Sequence, residues 1–177
     1  EPDTGSGSQS EPYLIEDGEM LAWLAQEVNS GVNTSGKYYQ LTGDIDLGDN
    51  PWTPIGKSYS YYFAGSFDGC GYTIKGLNVD SNSGYAGLFG YVKGSSSKYA
   101  DIKNLTVIGS STNSSGISNY TSGIVAYASY TNIINCHNQA SVTVTGNTQY
   151  AGGVVGYLYN GGSLVGCSNS ATISAPN

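Results

Sequence analysis

The sequence predicts an all-β protein, a parallel β-helix of about four turns closed at its N-terminal side by one capping α-helix. Three observations carry this expectation. One phrase recurs, as GYAGLFGY at residues 84–91, NYTSGIVAY ending at Tyr127 and QYAGGVVGY ending at Tyr157. A second phrase alternates with it, as TIKGLNV from Thr73, DIKNLTV from Asp101, NIINCHN from Asn132 and SLVGCSN from Ser163. Ahead of all the copies lies a single apolar stripe of helical period, formed by Met20, Leu21, Leu24, Ala25 and Val28. Positions read as equivalent keep a regular spacing. Ile74, Ile102, Ile133 and Leu164 follow one another at intervals of about 30 residues, and Leu77, Leu105, Cys136 and Cys167 keep the same intervals. A unit of this length with two short β-like runs cannot bury its own apolar face and must stack on its neighbours. The leucine-rich phrase LxxLxL and a 3.6-residue apolar repeat within the units are both absent, which leaves a solenoid of strands.

The elements follow in order. Residues 1–12 are rich in Gly, Ser and acid and are expected to form a flexible tether before one repeat domain at 13–177. The helix is expected over residues 17–30, with Asp17 as N-cap, Glu19 in the favourable first turn and Gly31 as the stop. One helix ahead of a run of strands reads as a cap, because the first turn of a solenoid otherwise exposes apolar core and unpaired edge groups. Turns are expected at about 38–71, 72–99, 100–130 and 131–161, with a partial turn at 162–177. The first is degenerate, with Ile45 equivalent to Ile74 and insertions around Asp49–Trp52 and Lys57–Tyr62. The glycines of GLFG and GVVG are assigned to corners that resist a Cβ. Val142 and Val144, with Ile173 one period after Val142, alternate with polar residues as a third strand per turn would.

The GLFG phrase, together with DIDLGDNPWTPIG, FAGSFDGCGYTIKGL and IKNLTV, resembles the GLUG-type repeat region of bacterial surface and adhesin-like proteins, including stretches flanking immunoglobulin A proteases. The resemblance covers roughly Tyr38 to the C-terminus and departs from the pattern at Ala126, where a glycine is usual, and at Cys70, where an Asn is common. It implies a right-handed helix and an extracellular or cell-surface location, and brings no catalytic residue with it. Further repeats or domains in the full-length chain are expected on the same ground.

Composition narrows function. The chain has 177 residues, net charge −7, six lysines and no arginine, and ten of its thirteen acids lie at or before Asp49. From Asn104 onward there is no Asp, Glu, Lys or Arg, so neither phosphate clamps nor base-reading forks exist there and no nucleic-acid partner is expected. No run is apolar enough for a membrane helix, so no membrane insertion is expected, and residues 1–10 are acidic, unlike a secretion leader. With Cys70, Cys136 and Cys167 an odd set, a small-residue ladder is expected in place of a disulfide framework.

Few residues suggest chemistry. Asp44 and Asp46 point to one side of a strand and, with Asp68, are weak candidates for a hard cation, the alternative being solvated turn acids; no metal or other cofactor is expected. Cys136 and His137 are adjacent and so face opposite sides, which prevents a dyad. The SSSK stretch at 95–98 sits in a Ser-rich loop and lacks the partners its catalytic namesake needs. Glycan cleavage requires paired carboxylates or cations, which the stretch 104–177 lacks, so no catalytic residue is assigned and the chain is read as non-enzymatic. The expected role is an adhesin-like surface or a scaffold, with a host or microbial surface protein or glycan as partner; the alternative is a carbohydrate-active β-helix that binds or cleaves polysaccharide. Trp52, Tyr59, Tyr61 and Tyr62 are the candidate contact residues, because a loop as dense in tyrosine as KSYSYY is not explained by stacking. The competing reading folds these rings back over the end of the first turn near the cap helix.

Overall fold

The computed structural model describes residues 5–114, 119–146 and 149–175. The first half of the chain carries β1 (Tyr13–Ile15), α1 (Gly18–Ser30), β2 (Tyr38–Leu41), β3 (Ile45–Asp46), β4 (Ser66–Asp68), β5 (Thr73–Ser81), β6 (Tyr85–Ala86) and β7 (Phe89–Lys93). The second half carries β8 (Ala100–Asn113), β9 (Asn119–Ser122), β10 (Val125–Val144), β11 (Gln149–Gly152), β12 (Val155–Val165), β13 (Ser168–Asn169) and β14 (Ile173–Ser174). These strands pair in parallel, and each ladder climbs from one turn to the next, so the chain is a parallel β-solenoid of about four turns.

One ladder stacks Tyr13, Tyr39, Phe67, Ile102, Ile133 and Leu164 through β1, β2, β4, β8, β10 and β12. A second stacks Ile45, Ile74, Val107 and Asn138, and further along Val79, Ser111, Val142 and Ile173. A third stacks Phe89, Val125 and Val155, with Tyr91, Tyr127 and Tyr157 two residues on. The inward members are fully buried, among them Phe67, Phe89, Ile74, Ile102, Ile133 and Val142. Phe63, Phe67 and Phe89, the largest of the fully buried side chains, meet ring to ring at 5.3–5.4 Å in the lower turns.

α1 forms because its buried residues Leu21, Leu24, Ala25 and Val28 share one face. Asp17 caps it by accepting the Met20 N–H at 2.9 Å, and Gly31 ends it in the left-handed region at φ 101°. Because β1 and β2 are parallel neighbours, α1 is the crossover between them and takes the place of the other two faces of the first rung. Its apolar stripe joins the same core as Ile15, Leu41 and Ile45. Asn29 fastens its far end by donating to the Pro54 carbonyl and accepting the Lys57 N–H. Of the segment expected as a tether, residues 6–11 fold into a hydrogen-bonded turn and the Gly7 carbonyl accepts the Tyr38 N–H at 3.0 Å. Residues 1–4 lie outside the described residues.

Three expectations are corrected. Ile74 pairs with Val107 and Leu77 with Gly109, not with Ile102 and Leu105; the rung neighbour of Ile102 is Phe67. The IKxLxV wording of residues 74–79 and 102–107 is alike, but the extra Gly69–Gly71 corner advances the first of them around the turn. The stretch Asp49–Trp52 is not a projecting insertion, since Pro51 bridges to Asn78 and Ile55 to Phe89 as rung members. Finally, the glycines of the recurring phrase do not serve a left-handed backbone. At the described corners that conformation belongs to Asn104, Tyr130, Asn135, Asn160 and Gly166 among others. Gly90 and Gly156 are needed for close approach instead: a Cβ would lie 2.5 Å from the Gly56 carbonyl oxygen and 2.6 Å from that of Ala126, respectively.

Candidate functional site

The most organised surface feature is aromatic. In one column Tyr91 stacks on Tyr127 at 4.6 Å with planes 9° apart, and Tyr157 leans on Tyr127 at 5.3 Å with planes 33° apart. In a second column Tyr85 stacks on Tyr120 at 5.5 Å, and Tyr120 on Tyr150 at 5.1 Å. The columns meet edge to face, with Tyr85–Tyr91 at 85° and Tyr120–Tyr127 at 88°. This herringbone is the preferred arrangement of ring quadrupoles. Burial, followed by the neighbouring hydroxyls, pushes Tyr85, Tyr91, Tyr120 and Tyr127 above the ordinary phenol range, which favours the uncharged form of these four rings. Ring faces used on one another are not free for a sugar ring, and the sides of the columns present ring edges instead. The first column is built from the tyrosine that closes each copy of the recurring phrase. The second was not singled out, although the sequence marks it with a tyrosine shortly before each member of the first, as in Tyr85, Tyr120 and Tyr150.

The tyrosine loop attaches to the start of these columns. A Ser58–Tyr61 turn reverses the chain, and Tyr59 and Tyr62 then approach Tyr91 at 5.7 and 6.1 Å. Lys93 lies over both rings, 4.9 Å from Tyr59 and 5.3 Å from Tyr62, while Lys57 lies 5.0 Å over Tyr61. These are attractive cation–π distances. Tyr59 keeps 64% of its surface exposed, whereas Tyr61 lies beside Gly31 at the end of α1. Trp52 donates its indole N–H to the Leu88 carbonyl at 3.1 Å and packs in part on the core. It also lines three clefts of about 420, 470 and 390 Å³. Polar side chains share the lining of each, Gln26 and Asn29 in the first, Glu19 and Asn50 in the second, and Asn82 and Ser83 in the third.

The candidate acids are each engaged. Asp44 accepts the Thr73 N–H at 2.8 Å. Asp46 accepts the Gly48 N–H and pairs with Lys75 at 3.0 Å, contacts that hold its carboxyl below the usual carboxylate range. For Asp68 burial alone would raise the value, but donation from Asn104, the Cys70 N–H and Lys103 brings it below that range. Asp68 begins a side-chain ladder up one corner, in which Asn104 donates to Asp68 and Asn135 to Asn104. Among the described residues no three of His, Cys, Asp or Glu converge as metal ligands would.

Cys136 is fully buried, and burial pushes its thiol up to about 12. His137 turns to the other side, where its Nδ1 is 2.8 Å from the Ser168 hydroxyl. The three cysteines are unpaired thiols. Ser95 and Lys98 bridge a tight exposed turn. No described helix is long and apolar enough to cross a membrane.

Comparison with known proteins adds three findings. The family model described as the GLUG motif matches residues 147–174. A curated relative, Halomucin of Haloquadratum walsbyi, is 33% identical over 180 aligned residues that take in 97% of this chain. The chain spans only 2% of that relative's length. A solved structure, described as that of a candidate immunoglobulin A1 protease from Bacteroides ovatus, aligns over 97% of this chain and 79% of its own at 17% identity and a TM-score of 0.43. With the matched residues stacked in parallel on the copies before them, the chain is a repeat protein that bears the GLUG motif.

Proposed function

We propose that this chain is a non-enzymatic repeat module of an extracellular or cell-surface protein, serving as a scaffold with an adhesive patch around Trp52. The observation that carries it is the way side chains are used. The groups that could do chemistry, Asp44, Asp46, Asp68, Cys136 and His137, are turned to neighbouring turns or to the core. The Trp52 clefts, by contrast, bring the indole together with polar side chains of α1 and the 50–53 stretch at the surface. The GLUG motif and the likeness to a protein named Halomucin support a surface-associated role.

The partner in this reading is a surface protein or a glycan, and the carbohydrate-active alternative rests on the same indole face, which suits the apolar face of a sugar ring. One sample tests both: a glycan array read beside a polysaccharide-cleavage screen, with Trp52→Ala run in parallel. Binding that Trp52→Ala abolishes, without turnover, supports the proposal. Release of reducing ends from any glycan overturns it.

A further inference from the structure

We propose that the cleft between the start of α1 and the 46–52 corner is a docking site for a lysine or arginine side chain on a basic segment of a partner protein. This names the partner of the Trp52 patch and so rests on that reading. The cleft, of about 470 Å³, is lined by Asp17, Glu19 and Ala22 on one side and by Asp46, Leu47 and Trp52 on the other. Two independent features point to the same ligand. The first is charge, since among the described residues the lining holds the carboxylates of Asp17, Glu19 and Asp46 and no lysine. Asp46 is paired with Lys75 at 3.0 Å, and Asp17 uses Oδ1 to accept the Met20 N–H. Glu19 is exposed, and among the described residues its carboxylate has neither a hydrogen bond nor an ion pair. Asp17 and Glu19 together outweigh the positive end of α1, which is equivalent to about half a charge.

The second feature is the indole. Trp52 gives its N–H to the Leu88 carbonyl at 3.1 Å, so the ring is held in place and has no donor left for a ligand. What it offers is its π-surface, and tryptophan is the strongest aromatic partner for a cation. A lysine or arginine can lay its methylene stem along Ala22, Leu47 and Pro51 and direct its charged head toward the ring and Glu19. Charge complementarity also chooses the class of occupant. A neutral sugar ring would use the indole but gain nothing from the net charge of the cleft, and an acidic one would be repelled. A basic segment is attracted before contact as well, because the chain carries net charge −7 and ten of its thirteen acids lie at or before Asp49.

The test titrates the chain with a short acetylated, amidated peptide of lysines spaced by glycine and serine, and with its glutamine and glutamate analogues. Binding is read at the Trp52 indole N–H resonance. The lysine peptide is expected to shift that resonance and the analogues to leave it unmoved, with affinity falling as salt rises. Glu19→Gln should weaken binding about three- to fivefold, and Asp17→Asn, which keeps a capping side chain, should weaken it further. Trp52→Leu keeps apolar bulk without the ring and should weaken binding, read at the Glu19 and Ala22 amides, by a similar factor. Glu11→Gln removes the same charge away from the cleft and should change affinity by less than about 1.5-fold. An unmoved indole, equal binding of the glutamine analogue, or an effect of Glu11→Gln as large as that of Glu19→Gln overturns the proposal. A glycan whose binding depends on Trp52, with the lysine peptide inert, overturns the cationic occupant alone; the patch reading falls with it only if neither class of ligand depends on Trp52.

Discussion

Replacing Tyr127 by leucine isolates what the aromatic columns contribute to stability. Tyr127 meets Tyr91 at 4.6 Å, Tyr120 at 4.9 Å, Tyr157 at 5.3 Å and Tyr85 at 6.2 Å. Leucine keeps much of the apolar bulk, so the change reports on ring geometry together with the hydroxyl contact between Tyr127 and Tyr91. Aromatic pairs contribute about 0.5–1.5 kcal/mol each beyond area burial, and taking only the two closest at about 1 kcal/mol gives a loss of about 2 kcal/mol. For a chain of this size that corresponds to a fall in Tm of about 4–8 °C. Tyr159→Leu is the control, because among the described residues Tyr159 has one ring partner, Tyr157 at 6.1 Å, and is 48% exposed. Its expected cost stays within about 0.5 kcal/mol. Scanning calorimetry of both variants, and of the double variant with Tyr91→Leu, measures the effect and the coupling between stacked rings, expected to be about 1 kcal/mol. The reasoning fails if Tyr127→Leu melts with Tyr159→Leu, or if the two column substitutions simply add.

Changing Tyr59, Tyr61 and Tyr62 together to serine removes the edge contacts to Tyr91 and the lysine contacts over the rings, and should cost about 2 kcal/mol, seen as a drop of several degrees in Tm; an unchanged melt would mean the loop does not pack as described. Gly109 sits at φ 145° with the Leu77 carbonyl where a Cβ would go, so Gly109→Ala should lower the urea midpoint more than the half-buried control Ser110→Ala does. Asp68 has a folded pKa below its unfolded one, so its contribution is complete above about pH 4 and is lost as pH falls through the folded value. Asp68→Asn should therefore flatten the acid side of a Tm-against-pH curve and leave the neutral region nearly parallel to the parent. Burial raises the Cys136 thiol to about 12, and burial followed by Asp68 raises Cys70 as well, so a thiol reagent near neutral pH should react slowly with exposed Cys70 and reach Cys136 only on unfolding. Rapid labelling of Cys136 in the native state would contradict the register of β10.

The sequence by itself determined the class of fold, because a period of about 30 residues with alternating short runs leaves one way to bury the apolar positions, namely on the next turn. It also determined the helix and both its ends, since Asp17, Gly31 and the stripe between them act locally. Cys136 facing inward and His137 outward followed from strand alternation alone. The structure was needed for whatever depends on how one turn lies over another. Similar wording at residues 74–79 and 102–107 suggested equivalence, yet the longer corner at Gly69–Gly71 places Phe67 beneath Ile102 and Ile74 beneath Val107. The short β1 carries too little pattern to be read and exists because β2 offers it an edge. The glycines of the recurring phrase were legible as necessary, but whether a glycine serves its own backbone angle or the carbonyl of another turn is decided by a contact between residues far apart in sequence. For the same reason Trp52 and the loop tyrosines could be singled out, while their division between packing and open cleft was set only when Lys93, Tyr91, Leu88 and α1 were brought around them.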